Sequence, residues 1–272
     1  VLAYIGVILS LAPIIAPSIG AVILEWGSWE HIFLLQGLTA MVPFLLTFGY
    51  QETAIQRFNG SLPEALLRYT KLFRNSRYLL ATVTMGLIIA PFYGYLAFSP
   101  IAYITLFGLS EQAFAIYFGL SAFAGMCGAF VCSRLVNRFS DIRLLTTCLV
   151  GCCLGGLGIM LAGDLHYGLF ALFMCIIIFF GGMSRPLSSN LILEQVDSDF
   201  GSASSFLIFY QFFVGAPCMA IVSLEWQYPF LIYGLIAFGL PLIVLLIWPF
   251  LIRRLLQRPH QPIPDTTVVR PE

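Results

Sequence analysis

Long apolar stretches alternate with short polar ones along this 272-residue chain. A bilayer needs about 20 consecutive apolar residues to be crossed by a helix, and stretches of that length recur with few charges. Eight spans are predicted, over residues 1–24, 32–50, 78–107, 113–133, 144–162, 168–190, 201–224 and 228–252. The polar connections between them differ in charge. Residues 51–77 carry Arg57, Arg68, Lys71, Arg74 and Arg77, residues 134–143 carry Arg134, Arg138 and Arg143, and the tail carries Arg253, Arg254, Arg258 and Arg270. The opposite turns, around Glu25–His31, Glu111, Asp164 and Glu225, contain neither Lys nor Arg. Alternating spans put every basic cluster on one side, which the positive-inside rule makes cytoplasmic, and an even count places both ends there.

The longest connection has a pattern of its own. Ser61 and Glu64 have capping-box spacing, and Leu62, Ala65, Leu66, Tyr69, Leu72 and Phe73 follow at helical intervals, opposite Arg68, Lys71 and Arg74. This predicts a short amphipathic helix on the cytoplasmic membrane surface.

Composition narrows the classes. With 60% apolar and 10% charged residues and a mean hydropathy of +0.94, the chain reads as an all-α integral membrane protein. Its zero net charge gives no footprint for nucleic acid. The seven cysteines, Cys127, Cys132, Cys148, Cys152, Cys153, Cys175 and Cys218, sit inside apolar spans without CxxC pairs or nearby histidines. They read as small packing residues, so neither a metal nor a cofactor is expected. No HExxH, GxSxG or buried carboxylate pair suggests an enzyme.

Two features organise the chain. In the first span Pro13 and Pro17 lie one helical turn apart, and Ala12, Ala16 and Gly20 form a small-residue stripe that lets another helix approach. The second feature is a repeat. Ala16-Pro17 returns as Ala216-Pro217 and Leu24-Glu25-Trp26 as Leu224-Glu225-Trp226, both 200 residues on, with Gly37-Leu38 returning as Gly234-Leu235. A parallel repeat of this kind pairs spans one and two with seven and eight and leaves four spans without counterparts, so the chain reads as part of a longer one.

The proline stretch Leu11-Ala12-Pro13-Ile14-Ile15-Ala16-Pro17-Ser18-Ile19-Gly20 resembles the antiporter signature in span five of major facilitator drug exporters. More narrowly it is similar to the Bcr/CflA-type and MdfA-type drug:proton antiporters, although Ala16 stands where that motif usually has glycine. Trp29-Glu30-His31-Ile32-Phe33, Gln51-Glu52-Thr53 and Ser99-Pro100-Ile101 extend the likeness. The resemblance implies a major facilitator fold of which this chain holds spans five to twelve, eight of twelve. Residues 1–50 would then be the last two spans of the N-terminal bundle, 51–77 a cytoplasmic linker, 78–252 the C-terminal six-helix bundle and 253–272 a cytoplasmic tail. It also implies proton-coupled efflux of hydrophobic or cationic drugs across a bacterial inner membrane, by a monomer when complete. The proton-coupling carboxylates would lie chiefly in a first span that precedes this chain. A nutrient or metabolite transporter, or a non-transporting remnant, are the other readings.

The same resemblance sorts the candidate residues. Leu9, Ser10, Phe92, Tyr93, Tyr95 and Leu96 would face the substrate cavity, and Pro13, Ala16, Pro17 and Gly20 would form the antiporter motif. Gly125 and Ala129, with Ser121, would pack on the Ala12/Ala16/Gly20 stripe across the interface between the halves. Arg134, Arg138 and Asp141 fall in a loop that resembles the second copy of the superfamily's loop motif, and are either gating residues that latch the inward-closed state or a positive-inside anchor. Arg185, the single ionisable residue in a span core, is either interfacial, or paired with the acidic loop Glu194, Asp197 and Asp199, or coupled to drug or proton. Asn190, Tyr210 and Gln211 are further polar candidates.

Overall fold

A computed structural model of the chain describes residues 16, 19–50, 69–70, 72–196 and 199–256. Among these residues the regular structure is entirely helical. A helical stretch over 19–26 is followed by α1 (Trp29–Thr47), α2 (Ser76–Gly86), α3 (Ala90–Pro100) and a π-helical turn, Ile101–Leu106. Then come α4 (Glu111–Leu135), α5 (Asp141–Ala162), α6 (Tyr167–Leu193), α7 (Phe200–Val222) and α8 (Pro229–Leu256). Among the described residues seven helical segments are long and apolar enough to cross a membrane, with Ser76–Leu106 counted as one. They coincide with seven of the eight predicted spans; the remaining one, 1–24, falls mostly outside the described residues.

The helices begin where capping chemistry allows. Asn75 accepts a hydrogen bond from the Tyr78 amide at 3.1 Å, Ser110 from Ala113 at 3.2 Å, and His166 Nδ1 from Gly168 at 3.0 Å. Asp199, ahead of α7, takes the left-handed conformation at φ 62°, and Gly108 turns the chain into α4 at φ 67°.

Close helix crossings are built on glycine. A Cβ on Gly182 of α6 would strike the carbonyl of Gly125 on α4, and one on Gly128 the carbonyl of Phe179. Gly156 of α5 lies equally close to the backbone of Ala237 and Phe238 on α8. Small residues let backbones approach where the surrounding lipid gives no hydrophobic drive for association. The stripe on α4 therefore meets α6. The expected pairing of Gly125 with the Ala12/Ala16/Gly20 stripe is not seen at the described positions, where Ala16 is exposed and Gly20 has nothing within 4 Å of a notional Cβ; Ala12 lies outside the described residues.

The third span is not the uninterrupted helix that 78–107 suggested. It breaks at 87–89, between Gly86 and Pro91, and then loosens into the π turn after Pro100. Pro91 enters α3 in its first turn, where its missing N–H is tolerated. Gly86 gives way to the Tyr210 ring of α7, whose hydroxyl donates to the Val83 carbonyl at 3.3 Å.

Two apolar clusters fill the bundle. At the end bearing the Arg134–Arg143 turn, Tyr78, Leu145, Leu149, Ala203, Trp248 and Leu251 are buried together. There Tyr78 donates to the Ala203 carbonyl at 2.7 Å and Trp248 Nε1 to Thr146 Oγ1 at 2.8 Å. Leu72 is buried in this cluster, Tyr69 rests on it, and the Phe73 ring meets Phe206 at 4.9 Å. The apolar face expected to lie on the membrane surface thus packs on the bundle at these positions; the capping pair Ser61 and Glu64 lies outside the described residues. The opposite end is aromatic: Tyr95, Phe98, Tyr103, Phe170, Phe230 and Tyr233 interlock, with Phe98 stacked on Tyr233 at 5.1 Å and Tyr103 on Tyr117 at 5.5 Å. Helix α1 stands apart from both clusters, with no buried residue.

Candidate functional site

A cavity of about 1190 Å³ lies between α2–α3, α4 and α6 and reaches Gln211 of α7. Its apolar wall includes Ile88, Phe92, Phe118, Met126, Phe130 and Ile178. Towards the aromatic end it is floored by Tyr95, which stacks on Phe118 at 5.5 Å and 6° and meets Ser121 Oγ at 3.1 Å through its hydroxyl. Towards the basic end it reaches Ser133, Val136 and Asp141. The lining is thus mostly hydrophobic, with a few polar groups in fixed places, the composition of small-molecule sites in general.

Helical geometry divides the predicted aromatic run in two. Phe92 and Tyr95, three residues apart, share a face and line the cavity. Tyr93 points to α7, where its ring lies 5.3 Å from Phe212 and closes over Gly215. Leu96 packs against the aromatic cluster. Both therefore stand apart from the lining of this cavity, because the steep turn between neighbouring helical positions carries them to other faces. Leu9, Ser10, Pro13 and Pro17 lie outside the described residues.

The charged candidates separate as well. Among the described residues Asp141 and Arg185 are the acid and the base in the lining. Asp141 opens α5, where a carboxylate stabilises the helix N-terminus. Arg134 is exposed, its guanidinium 5.1 Å from the Phe130 ring centroid, and Arg138 is exposed in the turn after α4. The two described acids of the loop have hydrogen-bond partners of their own. Glu194 accepts from Asn190 Nδ2 at 3.1 Å and Asp199 accepts from Ser202 at 2.9 Å; Asp197 lies outside the described residues. Gly125 and Ala129 both line the cavity, so the α4 face that meets α6 also borders the space.

Phe118, Met126 and Ile178 escaped the sequence reading, since nothing in a uniformly apolar span separates a cavity-facing side chain from a lipid-facing one. The cysteines are free. Cys132 and Cys152 line the cavity, and Cys152 and Cys153 approach the carbonyls of Ile177 and Phe238 at 3.8 and 3.9 Å.

Comparison with known proteins agrees with this architecture. The chain is 24% identical over 226 residues to an uncharacterized MFS-type transporter, YdgK, of Bacillus subtilis, covering 80% of this chain and 56% of that protein. It is 24% identical over 230 residues to a bicyclomycin resistance protein homolog of Haemophilus influenzae, covering 82% and 57%. It is 29% identical over 162 residues to the multidrug transporter MdfA of Edwardsiella ictaluri, covering 57% and 38%. The chain thus spans about half the length of the first two of these relatives. The pattern of the Major Facilitator Superfamily matches residues 1–218. With that match over most of its length and a bundle of membrane-length helices around an apolar cavity, the chain belongs to the Major Facilitator Superfamily.

Proposed function

We propose that this chain takes part in proton-coupled export of hydrophobic drugs, cationic ones included, from a bacterial cytoplasm across the inner membrane. The observation that carries the reading is the cavity of about 1190 Å³ walled by Phe92, Phe118 and Phe130, large enough for a drug-sized molecule. Burial of rings against such walls contributes about 25 cal/mol per Å² of apolar area, without demanding one ligand shape. A cation gains further from the faces of aromatic rings. Relatives named for multidrug transport and bicyclomycin resistance support the same substrate class.

In this reading the basic end faces the cytoplasm, Asp141 lies at the cytoplasmic mouth, and the aromatic cluster closes the far end. Alternating access would open that cluster and close the basic end. Arg134, in the last turn of α4, and Arg138, on the turn before Asp141, would hold the closed form by charge pairing. The protein acts as a carrier rather than an enzyme, and as a monomer.

The test is ethidium efflux from cells expressing the chain, with and without collapse of the proton gradient. Energy-dependent efflux abolished by an uncoupler, and slowed several-fold by Phe92→Ala, is the expected result. Ethidium accumulation equal to that of empty cells would refute export by this chain.

A further inference from the structure

We propose that the Arg185 guanidinium is an anion subsite of the cavity, so that the site takes amphiphiles joining a ring system to a sulfonate, carboxylate or phosphate group. This adds anionic amphiphiles to the drugs of the transport reading above and rests on the cavity being a ligand site.

Three observations lead here. First, Arg185 lines a mostly apolar cavity that also carries Ser188, Asn190 and Gln211, and among the described residues it supplies the positive charge there. It stands eight residues before the end of α6, about 12 Å along the helix at ~1.5 Å per residue, inside the membrane-length segment. A charge at that depth is costly unless it faces a partner or a polar space, and the cavity is that space.

Second, the described acids that could neutralise it have other neighbours. Glu194 is bonded by Asn190 and Asp199 by Ser202. Asp141, the acid in the lining, sits at the N-terminus of α5 beside the basic turn, where the helix dipole and Arg138 and Arg143 are its neighbours. Among the described residues no carboxylate is seen paired with the Arg185 guanidinium.

Third, the surroundings suit an amphiphile. Ser188 and Gln211 reach the same lining as Arg185, while Phe92 and Phe118 supply apolar wall. A guanidinium is a planar, weakly hydrated fork that matches carboxylate, sulfonate or phosphate oxygens in pairs, and low-dielectric walls strengthen that bond. The ring body of the ligand lies on the aromatic wall and its anionic group on Arg185.

Two fluorescent dyes of one skeleton separate charge from apolar contact: anilinonaphthalene sulfonate and its uncharged counterpart N-phenyl-naphthylamine. Both are titrated onto the full chain purified in an uncharged maltoside detergent. Arg185→Gln is expected to weaken the sulfonate about tenfold or more, while the uncharged dye binds wild type and variant alike, which also reports that the variant is folded. Arg185→Lys is expected to keep most of the sulfonate affinity. Equal sulfonate affinity in wild type and Arg185→Gln, or equal loss of both dyes, overturns the subsite. If the uncharged dye binds and ethidium is exported while the sulfonate ignores Arg185, the subsite alone falls. If neither dye binds wild type, the cavity is not a ligand site, and the export reading falls with this one.

Discussion

The Tyr95 hydroxyl and Ser121 Oγ lie 3.1 Å apart between α3 and α4, both out of solvent, at the floor of the cavity. Ser121 also donates to the Tyr117 carbonyl at 3.0 Å, so its own proton has a second acceptor. Tyr95→Phe keeps the stack on Phe118 and removes one interhelical bond. The expected loss of stability is about 0.6 kcal/mol, and at most ~1.7, the range of such bonds inside membranes. Tyr95→Ala also removes the ring and is expected to cost about 3–5 kcal/mol. Reversible unfolding of the purified chain in mixed micelles compares the two; a Phe variant as damaged as the Ala variant would mean that the hydroxyl, not the ring, anchors the floor.

A methyl group on Gly182 cannot be fitted without moving the Gly125 carbonyl, because the obstacle is backbone rather than the end of a flexible side chain. Gly182→Ala is expected to push α4 from α6 and destabilise the bundle by about 1–3 kcal/mol, as overpacking does elsewhere. Gly181→Ala, at the neighbouring position with nothing within 4 Å of its notional Cβ, is expected to be nearly silent. The same unfolding measurement reads both, and equal effects would show that the crossing is looser than this geometry requires.

Much of the fold was legible because hydropathy over a membrane-length window reports a single physical requirement, the crossing of a bilayer. Partners were not legible. A stripe of small residues such as Ser121, Gly125 and Ala129 says that some helix comes close, and Gly182 is one glycine among many in the chain. Nor could the break at 87–89 be located, since Gly86 makes room for Tyr210, a residue far along the sequence. The site shows the same limit. Arg185 was conspicuous as a charge inside a span, whereas Phe92 and Tyr93 were interchangeable until the helix phase placed one on the cavity and the other on Phe212.

Phe92 and Tyr93 therefore predict opposite phenotypes. Phe92→Ala removes cavity wall and is expected to weaken binding of N-phenyl-naphthylamine several-fold, with unfolding changed little because the side chain is only half-buried. Tyr93→Ala strips the ring that covers Gly215 and meets Phe212, and is expected to destabilise the α3–α7 contact while leaving dye affinity nearly intact in the protein that remains folded. Dye titration and unfolding on the same two preparations decide it; affinity loss in Tyr93→Ala alone would place the site on the other face of α3.

Orientation is the last expectation that sequence alone supports, through the contrast between the basic turn at 134–143 and the Lys- and Arg-free turn at 163–166. Asn137 and Asp164 are exposed in these two turns, at opposite ends of α5. With the seven native cysteines, all within helices, replaced by serine or alanine, single Asn137→Cys and Asp164→Cys variants can be labelled in intact cells with a membrane-impermeant maleimide. The positive-inside rule predicts that Cys at 164 reacts from outside and Cys at 137 only after the membrane is opened. The reverse pattern would invert the chain and put the aromatic cluster on the cytoplasmic side, against the orientation proposed above.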